Sequence, residues 1–414
     1  RITRYAAEIE TDSSAVGAQG LAWYHYDRKQ WSDAARWFQT AITWSKDKRG
    51  DEKLAEGLAQ SLRQDKQFLK AEDVAHDWHE KSQTMRTLFL EITAEHLMTM
   101  PVGEVYPIQR LNRFAGHVTQ LKSLAGSEAI AWYFYNRRNF VEATRWFRTA
   151  LDLKPDEDRH LKLVEGYILS MRYQGSLKEA ENYAYDWRDR SDALRKVYIE
   201  IAAEIISSLK PPATHPAERM DRFIALTRAN RSSFGAQAIG WYHHQRNEFT
   251  IAAEWFNTSL EWGGEITDAK TAQGYLLALI SLGRMDEADK LAFEWHEKSE
   301  EFRTLYIDTF GGAILRATPP QSFPEPMLRR FEYISAFARS VFGSQAIAWY
   351  FYDRQDWSNA ARWFQASLDW AGTAHHDQKT VEGFAQSIRS LARREEAEDI
   401  LYVWRDKNPL LRKL

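Results

Sequence analysis

Apolar residues recur along the chain at the spacing of an α-helix. Ile347, Tyr350 and Phe351 fall on a single helical face, and after a short polar break Ala360 and Phe364 begin another such face. Residues three and four apart share one side of a helix, whereas a half-buried strand would alternate strictly. No alternating segment bounded by turns is found. The pattern therefore predicts an all-α fold.

One aromatic-rich segment occurs four times. Its lead tryptophans are separated by 109, 109 and 108 residues, and two sets of glycines keep the same register. These residues are Trp23, Trp132, Trp241 and Trp349, with Gly17, Gly126, Gly235 and Gly343 before them and Gly57, Gly166, Gly274 and Gly383 after them. A fixed long period is typical of repeat architectures. We predict one array over 1–414, with repeats at about 4–112, 113–221, 222–329 and an incomplete 330–414.

Six helices, forming three hairpins, are predicted in each repeat. In the fourth repeat they are expected at 325–341, 343–354, 358–371, 377–392 and 394–406, and the sixth helix is expected at 85–99, 194–208 and 302–316 in the earlier repeats. Ser32, Thr250 and Ser358 precede apolar faces and are predicted as N-caps. The third repeat is one residue shorter near 262–264, which predicts a surface turn there.

The first hairpin of each repeat resembles the tetratricopeptide repeat. The residues that carry this resemblance are Ile347-Ala348, Phe351, Ala360, Phe364 and Ser367 in the fourth repeat, and Ile130-Ala131, Phe134, Ala143, Phe147 and Ala150 in the second. They fall on the family's Leu-Gly/Ala, Tyr, Ala, Phe and Ala positions, while the family proline at the hairpin end is present only as Pro155. The resemblance implies a right-handed α-solenoid in which the first helix of the hairpin lines the concave surface.

Composition excludes several classes of protein. The 55 basic and 58 acidic residues give a net charge of −3, which argues against a general nucleic-acid binder. The absence of cysteine excludes disulfides and thiol chemistry. No apolar run is long enough for a transmembrane helix, so no membrane insertion of this sequence is expected. The chain does not begin with Met and ends abruptly, so we expect it to be a fragment of a longer protein.

The sequence offers few signs of catalysis. Gly-rich phosphate loops, nucleophile elbows and His-Glu-x-x-His motifs are missing. The pairs His79-Glu80 and His296-Glu297 correspond to Arg188-Asp189 and Arg405-Asp406 in the other repeats, which is typical of solvated helix ends. His375-His376-Asp377 lies in a hairpin turn without further matching ligands. We therefore expect no catalytic residue, no metal and no cofactor.

The lead tryptophans are the best candidates for a binding site. In the tetratricopeptide family the residue at this position points into the groove, so the resemblance implies a ligand-facing stripe in each repeat. An aromatic ring beside a planar polar group suits the apolar face and hydroxyls of a sugar, and peptides also bind such grooves. The alternative is that these rings only pack between hairpins. The candidate residues are Trp23, Tyr26, Asp27, Trp132, Tyr135, Asn136, Trp241, His244, Gln245, Trp349, Tyr352 and Asp353.

Three functions stay open at this point. The first is a non-catalytic scaffold that binds another protein. We expect a periplasmic location, with cytoplasmic as the alternative, because the aromatic-rich repeats resemble those of bacterial exopolysaccharide or cellulose export systems. The second is direct glycan binding by the concave aromatic residues. The third is an accessory array of an enzyme whose catalytic domain lies outside this sequence.

Overall fold

The computed structural model describes residues 2–45, 51–263, 269–317, 319, 322–372 and 377–404. Over these residues the chain forms 23 α-helices and no strand. The predicted all-α class is therefore confirmed. Among the described helices, none combines the length and the apolar character needed to cross a lipid bilayer.

The first three repeats contain six helices each, and the described part of the fourth contains five. The first repeat comprises α1 Ile2–Asp12, α2 Ala15–Asp27, α3 Trp31–Trp44, α4 Glu52–Gln64, α5 Phe68–Asp77 and α6 Gln83–Thr99. The second comprises α7 Ile108–Leu121, α8 Leu124–Asn136, α9 Phe140–Asp152, α10 Glu157–Tyr173, α11 Leu177–Trp187 and α12 Asp192–Ser208. The third comprises α13 Ala217–Ala229, α14 Ser233–His244, α15 Phe249–Gly263, α16 Ala269–Ser281, α17 Met285–Trp295 and α18 Glu300–Arg316. The fourth comprises α19 Glu325–Phe337, α20 Val341–Tyr352, α21 Trp357–Ala371, α22 Gln378–Ser390 and α23 Arg394–Trp404.

The N-cap predictions were wrong. Ser32, Thr250 and Ser358 lie inside the first turns of their helices, since α3, α15 and α21 each begin one residue earlier. At α21 the cap is Asp356, whose carboxylate accepts a hydrogen bond from the Asn359 N–H. A carboxylate at this position satisfies a backbone donor that has no partner within the helix.

A serine caps the lead-tryptophan helix of every repeat, which the sequence patterns did not reveal. Each hydroxyl accepts a hydrogen bond from the N–H of the glycine three residues later, at 3.0–3.1 Å. The caps are Ser14, Ser123, Ser232 and Ser340. In the fourth repeat this cap explains the shifted boundary: α19 stops at Phe337 and Arg339 has a φ of 48°, so α20 starts two residues earlier than predicted.

Consecutive helices within a repeat pack against each other, as in α2–α3, α3–α4 and α4–α5. Because the connections are short, neighbouring helices run antiparallel and form hairpins. The described residues group into two compact parts, Arg1–Ile201 and Ala202–Leu414. The boundaries of the four sequence repeats within a single array stay a prediction.

The core of each repeat is built around a phenylalanine pressed onto a glycine. A Cβ on Gly166 of α10 would lie 2.5 Å from Cζ of Phe147 on α9, and the same pair recurs as Gly57–Phe38, Gly274–Phe256 and Gly383–Phe364. All four rings are fully buried. The alanines expected at the helix crossings, Ala143 and Ala360, are also fully buried, as predicted. Small residues let two helices approach closely, and the aromatic ring fills the space between hairpins.

The long connection before each of the last three repeats is held by the tyrosine that follows the lead tryptophan. The hydroxyl of Tyr133 accepts a hydrogen bond from the Tyr106 N–H at 3.2 Å, and Tyr242 and Tyr350 do the same for His215 and Phe323. The Arg137 guanidinium lies 3.9 Å from the centre of the Tyr133 ring and donates to the Glu104 carbonyl. These contacts attach each connection to the first hairpin after it.

Candidate functional site

The lead tryptophans are half-buried in all four repeats, on α2, α8, α14 and α20. Each indole meets the core phenylalanine edge-on, with ring centres 4.8–5.0 Å apart. Edge-to-face packing at this distance is favourable beyond the area it buries. The tryptophans therefore contribute to packing and also keep part of their surface exposed, which is intermediate between the two alternatives left by the sequence.

The predicted neighbour three residues later joins the same cluster. Tyr26, Tyr135 and Tyr352 contact their lead tryptophans edge-on at 5.1–5.4 Å, and His244 takes this place in the third repeat at 5.5 Å. All four rings are half-buried. The third predicted group, Asp27, Asn136, Gln245 and Asp353, is exposed at the end of each helix. We call each such set of rings and its polar neighbour an aromatic cluster.

The sequence patterns did not reveal one further ring in each cluster, nor the carboxylate that lies beside three of them. An aromatic residue at the start of the second helix contacts the tyrosine or histidine, and these residues are Trp31, Phe140, Phe249 and Trp357. An acidic or amide residue precedes the second glycine, and these residues are Glu56, Glu165, Gln273 and Glu382. Both sets recur at equivalent positions of the four repeats, so the repeat period could have identified them from the sequence.

Burial and nearby carboxylates shape the electrostatics of the clusters. Partial burial is the main cause that raises the pKa of Tyr26, Tyr135 and Tyr352, and the carboxylates of Glu56, Glu165 and Glu382 raise it further. Burial lowers the pKa of His244 in the third repeat. Three of the clusters therefore combine neutral rings with negative charge, whereas the third has an imidazole and Gln273.

The histidines of His79-Glu80 and His296-Glu297 do not form solvated helix ends, so this prediction was wrong for the imidazoles. The side chain of His79 is 16% exposed and that of His296 is 8% exposed, whereas Glu80 and Glu297 are 85% and 65% exposed. Each imidazole turns back onto its own helix, where Nδ1 donates to the backbone carbonyl three residues earlier. Arg405-Asp406 and His375-His376 lie outside the described residues, and Asp377 caps α22.

Three histidines converge, two from the first repeat and one from the second, and the sequence patterns did not predict this. His76 is on α5, His79 is in the turn that follows, and His117 is on α7. One ring nitrogen of each lies within 4.8 Å of one nitrogen of the other two. The rings surround the fully buried Phe89 of α6. Burial, followed by the Arg113 charge and the other two imidazoles, lowers the pKa of His76 to about 4.

No family model and no curated protein matches the chain. Solved structures with similar helical architecture include the APC/C hetero-tetramer Cut9–Hcn1, at 13% identity over 97% of this chain and 89% of that one, with a TM-score of 0.24. A tetratricopeptide repeat protein from Parabacteroides merdae matches at 12% identity over 64% of this chain and 99% of that one, with a TM-score of 0.35. The TPR2AB domain of yeast Sti1, in its pHSP90 complex, matches at 13% identity over 69% and 90%, with a TM-score of 0.27.

The helical hairpins of the described residues fit the tetratricopeptide-like fold that the sequence predicts. The three solved structures have TM-scores below 0.5, so nothing further is inferred from them, and the Gly–Phe contacts are features of this chain itself. Within the tetratricopeptide-like hairpin, the lead tryptophan comes directly after the small residue of the first helix, as the sequence register predicts. Whether the twelve predicted residues bind a ligand stays a prediction.

Proposed function

We propose that this protein is a non-catalytic scaffold that binds another protein through its aromatic clusters. One observation carries the proposal: four clusters at equivalent positions keep half-buried rings, and each lead tryptophan packs on the buried phenylalanine that is pressed onto a glycine. Rings fixed on a rigid helix lose little conformational entropy when a partner covers them. Aromatic residues with few rotatable bonds are common at the centres of protein interfaces.

The charges around the clusters favour a partner segment with basic side chains. Glu56 and Asp27 lie close enough to the Tyr26 hydroxyl to raise its pKa, and Glu382 and Asp353 act likewise on Tyr352. A Lys or Arg side chain gains both a carboxylate partner and the face of an aromatic ring in such a place. An acidic segment would meet repulsion instead. We therefore propose an extended, basic peptide segment as the bound element.

Peptide titration tests this proposal. Two sets of extended peptides are titrated against the chain while its intrinsic tryptophan fluorescence is followed. The sets have the same sequences, except that one carries Lys and Arg where the other carries Asp and Glu. We expect saturable changes with basic peptides, weaker binding at higher ionic strength, and loss of binding in the Trp132→Ala, Trp349→Ala double variant. Trp187→Ala, another half-buried tryptophan that stacks on His160 outside the clusters, is the matched control. Equal binding by both variants, or a preference for acidic peptides, would contradict the proposal.

Direct glycan binding is the second candidate, because Asp27, Asn136, Gln245 and Asp353 are exposed one turn beyond the half-buried tryptophans. A ring with a polar group at that distance suits a sugar ring and its hydroxyls. Titration with β-glucan oligosaccharides distinguishes this candidate from peptide binding. Unchanged tryptophan emission at millimolar sugar would remove it.

A role in exopolysaccharide or cellulose export, and a periplasmic location, are further proposals supported by the aromatic-rich repeats and the lack of cysteine. The accessory array of an enzyme is the remaining alternative. The full open reading frame and its gene neighbours test all three. An export signal beside polysaccharide-synthesis genes would support the first two, and a catalytic domain in the same frame would support the third.

A further inference from the structure

The three converging histidines have a geometry that suits a metal ion. The ring centres of His76 and His79 lie 4.2 Å apart, those of His79 and His117 lie 4.7 Å apart, and those of His76 and His117 lie 5.8 Å apart. Their candidate ligand nitrogens lie within 4.8 Å of one another. A tetrahedral zinc ion with Zn–N bonds of about 2.0–2.1 Å needs nitrogens about 3.3 Å apart. The His76 and His79 rings are stacked, with 19° between their planes, so binding requires one of these side chains to turn about its torsions until both nitrogens point at the ion.

The second nitrogen of His79 already has the partner expected of a metal ligand. Its Nδ1 donates to the backbone carbonyl of His76, so the tautomer leaves the Nε2 lone pair available. Ligating histidines almost always donate their other ring N–H to a carbonyl or a carboxylate, which fixes the ring. The Arg86 Nε also donates to the His79 carbonyl at 2.9 Å, which holds the turn that carries this ligand.

The three imidazoles lie between the buried Phe89 ring and the exposed Glu80 side chain. Phe89 forms the buried floor beneath the three imidazoles. The Glu80 carboxylate lies 3.9 Å from His79 Nε2 and its side chain is 85% exposed, so it is free to approach as a fourth ligand or to leave that position to water. The nearby Arg113 charge opposes a cation, but its guanidinium donates to the buried Glu72 carboxylate at 2.6 Å. That pairing offsets much of the repulsion.

We propose that His76, His79 and His117 bind one divalent first-row transition ion of the zinc type. Imidazole nitrogens are preferred ligands of Zn²⁺, Ni²⁺, Cu²⁺ and Co²⁺, and the three rings come from two helices and a turn. The ion would therefore tie the end of α5 to α7. Among the described residues this trio occurs at one place. The corresponding residues are Tyr185, Arg188 and Leu226 in the next repeat, and Phe293, His296 and Ile334 in the one after.

Calorimetry with Zn²⁺ on the full chain, without an affinity tag, tests the site. We expect one Zn²⁺ per chain and a higher melting temperature with the ion, because a ligand that binds only the folded state stabilises it. His79→Gln and His117→Gln should each weaken binding at least about tenfold. His160→Gln is the matched control, since His160 is also half-buried beside an aromatic ring in the same part of the chain and lies outside the cluster.

Circular dichroism checks that each variant is folded. Two spectroscopic measurements on the wild-type chain test the site even if a variant fails to fold. Co²⁺ added to the wild-type chain should give the strong visible absorption of a four-coordinate site, and X-ray absorption of the Zn²⁺ form should show three imidazole ligands. Absence of one-to-one binding, a spectrum without imidazole ligands, or equal affinity in His79→Gln, His117→Gln and His160→Gln would overturn the proposal. The trio would then be a packed aromatic group around Phe89.

Discussion

A single methyl group added to Gly166 tests the packing on which every repeat depends. The new Cβ would lie 2.5 Å from Cζ and 2.6 Å from Cε1 of Phe147, closer than carbon atoms approach in folded proteins. Phe147 has little room to move, because its ring is fully buried and the Trp132 ring lies 4.8 Å away. The helices α9 and α10 must separate, or the Phe147 ring must leave its position.

Two opposing contributions set the size of the effect. Overpacking a well-filled core costs about 1–3 kcal/mol. Replacing glycine by alanine inside a helix contributes roughly 0.5–1 kcal/mol in the other direction, because alanine loses less backbone entropy on folding. Gly20→Ala isolates the second contribution, since Gly20 is an exposed residue of α2 and a Cβ there would meet nothing within 4 Å. The two variants should therefore differ by about 1–3 kcal/mol.

Urea unfolding followed by tryptophan fluorescence measures the stability of both variants, and hydrogen exchange of the α9 and α10 amides reports the local opening. We expect Gly166→Ala to lower the unfolding midpoint and to speed exchange in these helices, and Gly20→Ala to raise the midpoint slightly. Equal shifts in the two variants would refute the reasoning, because the close approach of α9 and α10 would then carry no energetic weight.

Three further changes give distinct expected outcomes. Tyr133→Phe removes the acceptor of the buried Tyr106 N–H and should cost about 1–2 kcal/mol in a urea melt; no shift would mean that water replaces the hydroxyl. Glu72→Gln removes the buried negative charge that pairs with the Arg113 and Arg110 guanidinium groups, and it should cost about 3 kcal/mol by the same assay. This is the low end for a buried pair, because the Arg113 side chain is 31% exposed, and a neutral result would argue against the pair. Burial lowers the pKa of His96, so the wild-type chain should lose stability as pH falls below about 6.5. Thermal melts of the His96→Phe variant should show a smaller loss over the same pH range. If both proteins show the same pH dependence, other groups cause the loss.

The sign of the last effect follows from proton binding. A group with a lowered pKa in the folded state binds fewer protons there than in the unfolded chain, so protonation favours unfolding. The imidazole of His96 stacks on Phe68, with ring centres 5.0 Å apart, and Nδ1 has no hydrogen-bond partner among the described residues. Glu72 and Glu104 partly offset the burial, whereas Arg110 adds to it. Phenylalanine keeps the stack and removes the titrating group.

The helical secondary structure was predictable because it is encoded locally. The helical spacing of apolar residues places the buried face of each helix regardless of its partner. The register of glycines such as Gly166 with aromatic residues such as Phe147 repeats at a fixed period, and the structure forms the same contact four times. Helix ends were less accurate, because Ser340 caps α20 through a hydrogen bond to Gly343 that apolar periodicity does not show.

Only the tertiary structure decided the state of the candidate site residues. The sequence left Trp132 as either core or groove, and packing makes it half-buried, with its indole at right angles to the buried Phe147 ring. The sequence likewise treated His79 as solvated, since nothing local relates it to His117. These two residues meet because α5, α6 and α7 pack around Phe89, and contacts between side chains 38 positions apart depend on that packing rather than on any pattern along the chain.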